Sequence, residues 1–222
     1  MRRARNADDF ARAVSEITGS TLHVVSGEDE ARYSYAGAVS GLNAPRHERI
    51  GVADPGGGST EYAFGMGDRA QRVVSCEIGA VRLTETLPVL AGDRGEISPA
   101  DVQRAHESAY AALEPIAGFD RVHRLVFVGG TATSTVALMA GSREPFTYRS
   151  LGREDVQRAI EQLCGLDLNA RRALPAMNPQ RADILLAGLI VVDAVFARAK
   201  QARATVSTND LLLGYLLVAR QG

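Results

Sequence analysis

Apolar residues recur at helical spacing over residues 8–17, where Phe10, Val14 and Ile17 share one stripe, and Thr18-Gly19 closes the segment as a C-terminal stop. Residues 22–25 (LHVV) read as a short strand that ends at Ser26-Gly27. Residues 28–35 open on acids, as the first turn of a helix does when carboxylates meet its dipole. Residues 40–47 read as a loop. Three strand-like stretches follow at 50–53, 59–64 and 72–78, separated by glycine-rich breaks, which predicts a meander.

The second half changes period. Ser98-Pro99-Ala100-Asp101 starts a helix that runs to residue 116, with an N-cap serine, proline in the first position, and Val102, Ala105, Ala109, Leu113 and Ile116 on one stripe. Residues 125–128 form a continuous apolar strand that runs into Gly129-Gly130-Thr131 and a helix of small residues. Residues 152–163, 169–174 and 181–198 are helical, 205–207 a short strand, and 209–219 a closing helix. A meander followed by alternating helices and strands predicts an α/β fold.

The 222 residues are 45% apolar and carry a net charge of −1, enough for a sizeable core and without the basic field that draws nucleic acid or a membrane surface. The most apolar run, 184–197, contains Gly188 and Asp193 and is too short to span a bilayer, so it reads as a buried helix. MRRARNADDF lacks the apolar stretch of a signal peptide. Cys76 and Cys164 stand far apart, which suits reduced thiols in a cytoplasmic protein. His23, His47, His106 and His123 lack metal-ligand spacing and read as surface or packing residues.

The stretch VADPGGGSTE, residues 52–61, carries the chemistry. A glycine run between strands is a hairpin turn, a bulge, or a loop whose backbone N–H groups converge on an anion. A turn needs one or two glycines, and here Gly56, Gly57 and Gly58 are flanked by Asp54 and by Ser59-Thr60-Glu61. A Walker A loop is excluded because no Lys-Ser/Thr follows, and a dinucleotide fingerprint does not fit contiguous glycines that lead into a strand. Gly129, Gly130 and Thr131 form a second glycine element, where a buried strand aims a helix N-terminus at whatever lies over the strand end. Tight strand–helix packing is the competing reading there.

VADPGGGSTEYAFG resembles the second phosphate-binding loop of the exopolyphosphatase and guanosine pentaphosphate phosphatase family, within the actin-like ATPase superfamily. RRARNADDF, VVSGEDEARYSYAG, SCEIGAVRLTE, VFVGGTATS and RADILLAGLIVVDAVF agree with it in order. The resemblance implies a ribonuclease H-like domain with a mixed sheet flanked by helices. It also implies release of terminal phosphate from inorganic polyphosphate or guanosine pentaphosphate. Family members begin with a first domain that has its own Asp-x-Gly-Ser loop. Here residues 1–19 resemble that domain's last helix, and 1–222 a single domain like the second lobe. The alternative is a non-catalytic half that binds polyphosphate or a nucleotide. Apolar surface left by a missing lobe leads us to expect a homodimer.

The resemblance also implies roles. Asp54 matches the magnesium-associated acid, so Mg2+ is the expected cofactor. Gly56, Gly57, Gly58 and Ser59 match the phosphate loop, Glu61 a second essential acid, and Glu30 the general base for the attacking water. Gly129, Gly130 and Thr131 are further phosphate or nucleotide contacts. Two positions depart from the pattern. Pro55 replaces an aliphatic residue, and Leu212 stands where an arginine is usual.

Overall fold

The structure, a computed structural model, describes residues 7–93, 95–119 and 121–219. Residues 1–6 of the first-lobe remnant expected from the sequence lie outside them. One six-stranded sheet has the order β3-β2-β1-β4-β6-β5, built from β1 (Arg49–Pro55), β2 (Thr60–Met66), β3 (Arg69–Cys76), β4 (Arg124–Phe127), β5 (Tyr148–Gly152) and β6 (Arg203–Ser207). The meander is present, because β1–β2 and β2–β3 pair antiparallel. Strands β1, β4 and β6 run parallel, and β5 joins the far edge antiparallel.

The central strands are apolar on both faces because helices cover both. On one face, α8 (Leu185–Ala199) packs with α3 (Ala80–Thr86), α4 (Pro99–Ala112) and α6 (Arg153–Cys164). Phe127 of β4 and Phe196 of α8 meet edge to face there at 5.0 Å. Asp193 is buried within α8, yet Arg153 grips it with two hydrogen bonds of 2.8 and 3.0 Å and Gln157 adds a third at 3.2 Å. A buried carboxylate is tolerated when so paired. The 184–197 run is thus a core helix. Among the described residues no helix is long and apolar enough to cross a membrane.

On the other face, Ala31, Tyr35 and Ala38 of α2 (Gly27–Val39) pack against Ile50, Val52, Val126 and Val128. The closing helix α9 (Leu211–Ala219) lies along α2. Gly37 and Gly214 set that crossing. A side chain on Gly37 would strike the Asp210 carbonyl, and one on Gly214 the Tyr33 carbonyl. The remaining helices are α1 (Ala7–Thr18), α5 (Gly129–Ala140) and α7 (Leu168–Arg172).

Two differences from the sequence reading stand out. Residues 21–26 are not a strand, for no neighbouring strand pairs with them, and they lead directly to the Ser26 N-cap of α2. Helix α3 and strand β5 were not expected. β5 buries only Leu151 among its five residues, which leaves too weak an alternation to read. α3 has only seven residues, and its first N–H groups are held by carbonyls of a distant loop.

Candidate active site

The site forms where β1 and β4, adjacent and parallel, reach their C-terminal ends, the usual place for ligands on such sheets. Strand β1 stays apolar through Ala53 and then presents Asp54. Its partner across the hairpin is Glu61 of β2. Two acids directly opposite one another repel, so a fold keeps that arrangement only for a purpose other than its own stability.

Burial pushes the Asp54 carboxyl up to about 6. A hydrogen bond of 3.1 Å donated by Ser34 Oγ pulls it back in part, and the charges of Glu61, Asp210 and Glu30 push it further up. Four acids from four segments therefore act on one spot. Glu61 is buried and accepts from Ser75 Oγ at 2.8 Å. Glu30 sits in the first turn of α2, half-buried. Its neighbours face elsewhere: Asp29 pairs with Ser26 and Arg32, and Glu28 with Arg32.

Asp210 is the acid that sequence reasoning missed. Its Oδ1 accepts from the Leu212 N–H at 3.0 Å, so in sequence it reads as the cap of α9. The close crossing of α2 and α9 at Gly37 and Gly214 brings it near the others.

The three glycines divide the work. The Gly56 N–H donates to the Ser59 carbonyl at 2.9 Å, so Gly56 makes the turn. The Gly56 and Gly57 carbonyls accept from Ala80, Val81 and Arg82 at the start of α3, at 2.9 to 3.1 Å. The Gly58 carbonyl accepts from Arg82 Nε at 2.8 Å. The loop's carbonyls are thus occupied by α3, while Gly57 and Gly58 stay exposed. None of the three has positive φ, so conformation alone does not require glycine there. A side chain on Gly58 would meet nothing within 4 Å of protein, which leaves room for a ligand against the backbone. Ser59 is half-buried at the end of the loop.

Gly129 is the glycine that conformation demands. It follows Val128, whose N–H continues the ladder to the Ala53 carbonyl at 3.0 Å, and it turns into α5 with φ 81°. A side chain there would also collide with the Asp54 carboxylate. Asp54 therefore rests against the first residue of α5, whose leading N–H groups have no acceptor within the helix. The Thr131 side chain is buried against Gly188 of α8.

Among the described residues no group of three or more acids, histidines or cysteines is placed to hold a metal ion by itself. The donor set still fits magnesium, which binds through one or two carboxylates and completes its shell with water and phosphate oxygens. Asp54, opposite Glu61 and raised by burial and then by neighbouring negative charge, is a carboxylate that a dication would relieve.

Exopolyphosphatase 2 of Mycobacterium tuberculosis is 31% identical over 230 residues, covering 96% of this chain and 70% of that protein. A bifunctional 3-dehydroquinate synthase/phosphatase of Fusobacterium nucleatum is 25% identical over 221 residues, and there the chain spans only 33% of the relative. Among solved structures, the Aquifex aeolicus PPX-GPPA enzyme superposes with a TM-score of 0.83 at 28% identity, over 98% of this chain and 72% of that one. An exopolyphosphatase-like protein superposes with 0.87 at 25% identity, over 99% and 73%. The sheet flanked by helices is thus the actin-like ATPase fold of these proteins. The pattern of the Ppx/GppA phosphatase family matches residues 1–217, and the chain belongs to that family.

Proposed function

We propose that the chain carries the catalytic acids of a magnesium-dependent phosphohydrolase that releases terminal phosphate from inorganic polyphosphate or guanosine pentaphosphate in the cytoplasm. The observation that carries this reading is the pair Asp54 and Glu61, opposed across β1–β2 and set against the glycine turn of α5. Bound magnesium would offset charge on the phosphoryl oxygens, held by Asp54 with Glu61 beside it. The exposed backbone of Gly57, Gly58 and the start of α5 would bind and orient the phosphate chain. Glu30 would accept the proton of a water that attacks the terminal phosphorus. The anhydride P–O bond breaks, and the shortened chain leaves on its own oxygen.

Polyphosphate and guanosine pentaphosphate share that terminal anhydride, so both stand as substrates. The test is magnesium-dependent phosphate release from each, for the native chain and Asp54→Ala. Release that Asp54→Ala leaves intact rules the reading out.

A second reading is a binding half completed by another surface. It is favoured by α9, where Leu212 is 70% exposed and Tyr215 and Leu216 are exposed beside it. A helix apolar on all sides needs cover, and a second copy would provide it. Light scattering at high concentration tests for the homodimer.

A further inference from the structure

We propose that the chain pairs with a second copy by exchanging helices: the apolar stripe of α1 in one copy seats in the groove that α2, α9 and the β2–β3 turn form in the other. This goes beyond the homodimer raised above, because it names the segment and its seat, and it does not depend on the hydrolase reading.

The groove has a volume of about 1010 Å³, at the top of the range for small ligands and open enough for a helix. Val39, Leu42, Leu217 and Val218 give it an apolar floor. On its rim three arginines, Arg32, Arg46 and Arg69, outnumber Asp29 and Asp68. Arg32 is already paired with Asp29 and Glu28, but among the described residues Arg46 and Arg69 have no carboxylate within ion-pair distance. The lining therefore fits an apolar stripe edged with acid. Helix α1 carries one. Phe10, Val14 and Ile17 share its stripe, yet Phe10 is 49% and Ile17 84% exposed, and no residue of α1 joins the core on either face of the sheet. Asp9 and Glu16, seven positions apart, lie along one edge of that stripe. Asp9 stands 3.7 Å from Arg12, an exposed pair that costs little to break.

The stripe is not seated in the groove of its own chain, for no residue of α1 lines it. Gly19 ends the helix in the left-handed conformation, φ 67°, with its N–H donating to the Ser15 carbonyl at 2.9 Å. Residues 20–26 then lead without regular structure to α2. Fully extended, those residues span at most about 25 Å, which lets α1 reach a neighbour whose α2 lies alongside. A reciprocal exchange covers both stripes and both grooves at once and closes as a two-fold dimer. The groove also shares its walls with the site. On α2, Asp29 and Arg32 line the groove, while Ser34 and Glu30 act on Asp54. A helix seated there would brace the α2–α9 crossing that brings Asp210 near Asp54.

Sedimentation velocity at low salt tests the exchange with two charge variants whose altered positions are all exposed. The native chain should be a dimer. Arg46→Glu with Arg69→Glu reverses the rim of the groove, and Asp9→Asn with Glu16→Arg reverses the edge of α1. Either variant alone sets like charge at both contacts, so its dimer should weaken by roughly tenfold or more. An equal mixture of the two should dimerise within about threefold of the native chain, because each contact then joins opposite charges. Thermal melts confirm that both variants are folded. A monomeric native chain overturns the exchange and leaves the phosphohydrolase reading standing. A native dimer that both variants preserve overturns it as well and moves the contact to the outer face of α9, where Leu212→Asp would break it. Variants that weaken alone and stay monomeric when mixed rule out reciprocal seating.

Discussion

Asp54 and Glu61 face each other across the β1–β2 ladder, and Asp54 also leans on Gly129, the first residue of α5. Strand pairing fixes the first contact and the left-handed turn the second, so the acid has little freedom to relax away from its neighbours. The pairing register therefore positions charge, and charge follows pH.

In chelator, Asp54 should make the fold pH-dependent. Its carboxyl lies near 6 in the folded chain against 3.8 as a free group, raised by burial first and then by Glu61, Asp210 and Glu30. The folded state thus holds the proton more tightly. Stability from this group is complete below pH 4 and is lost as pH rises through 6, by about 2–3 kcal/mol in all. Asp54→Asn should remove that loss, so the difference in urea stability between variant and native chain should grow by this amount from pH 4 to 7. A flat difference would mean that neither burial nor the neighbouring acids raise the Asp54 carboxyl.

Gly129→Ala should destabilise by about 2 kcal/mol or more, since it adds a left-handed strain and a collision with Asp54 together. Gly58→Ala is the matched control, with open space and no positive φ, and should melt within a few degrees of the native chain. Thermal melts of the two variants separate a turn that conformation dictates from a loop that it does not.

The meander, the small-residue helix after β4 and the buried run of α8 were legible because each has a strong local period or a hard stop. Asp54, Glu61 and Gly129 lie next to such stops, and a reading of the stops finds them. Asp210 was out of reach for a different reason. It precedes α9, where a polar residue has an adequate local explanation as a cap. Its effect on Asp54 arises from contacts between segments distant in sequence. The burial of the Thr131 side chain was equally out of reach, because the inward face of α5 is decided by Gly188, fifty-seven positions further along the chain.

Gly37→Ala tests whether the helix crossing builds the site. A methyl group there would strike the Asp210 carbonyl and push α9 from α2. Expected outcomes are a loss of about 1–3 kcal/mol in stability, as for overpacking, and a fall in the Asp54 pKa as the charge of Asp210 recedes. NMR titration of the Asp54 carboxyl reads the second effect. An unshifted pKa in a folded variant would remove Asp210 from the cluster.

The last prediction separates Glu30 from its neighbours in VVSGEDEARY. Three consecutive acids open α2, and all three would serve the helix dipole alike if that were their work. The structure divides them. Asp29 is engaged by the N-cap Ser26 and by Arg32, Glu28 by Arg32, and Glu30 bears on Asp54. Glu30→Gln should therefore leave the fold and magnesium-dependent polyphosphate binding nearly intact, since it keeps shape and removes only the capacity to take a proton. Turnover should fall by roughly 10²–10⁴-fold, the usual contribution of a positioned general base. Glu28→Gln, on the solvent side, should leave turnover within about twofold and cost at most a fraction of a kcal/mol, as loss of an exposed ion pair does. Phosphate release under saturating polyphosphate, measured beside binding by calorimetry, gives both quantities. Equal small losses in the two variants would return Glu30 to the helix dipole and leave the base to be sought elsewhere.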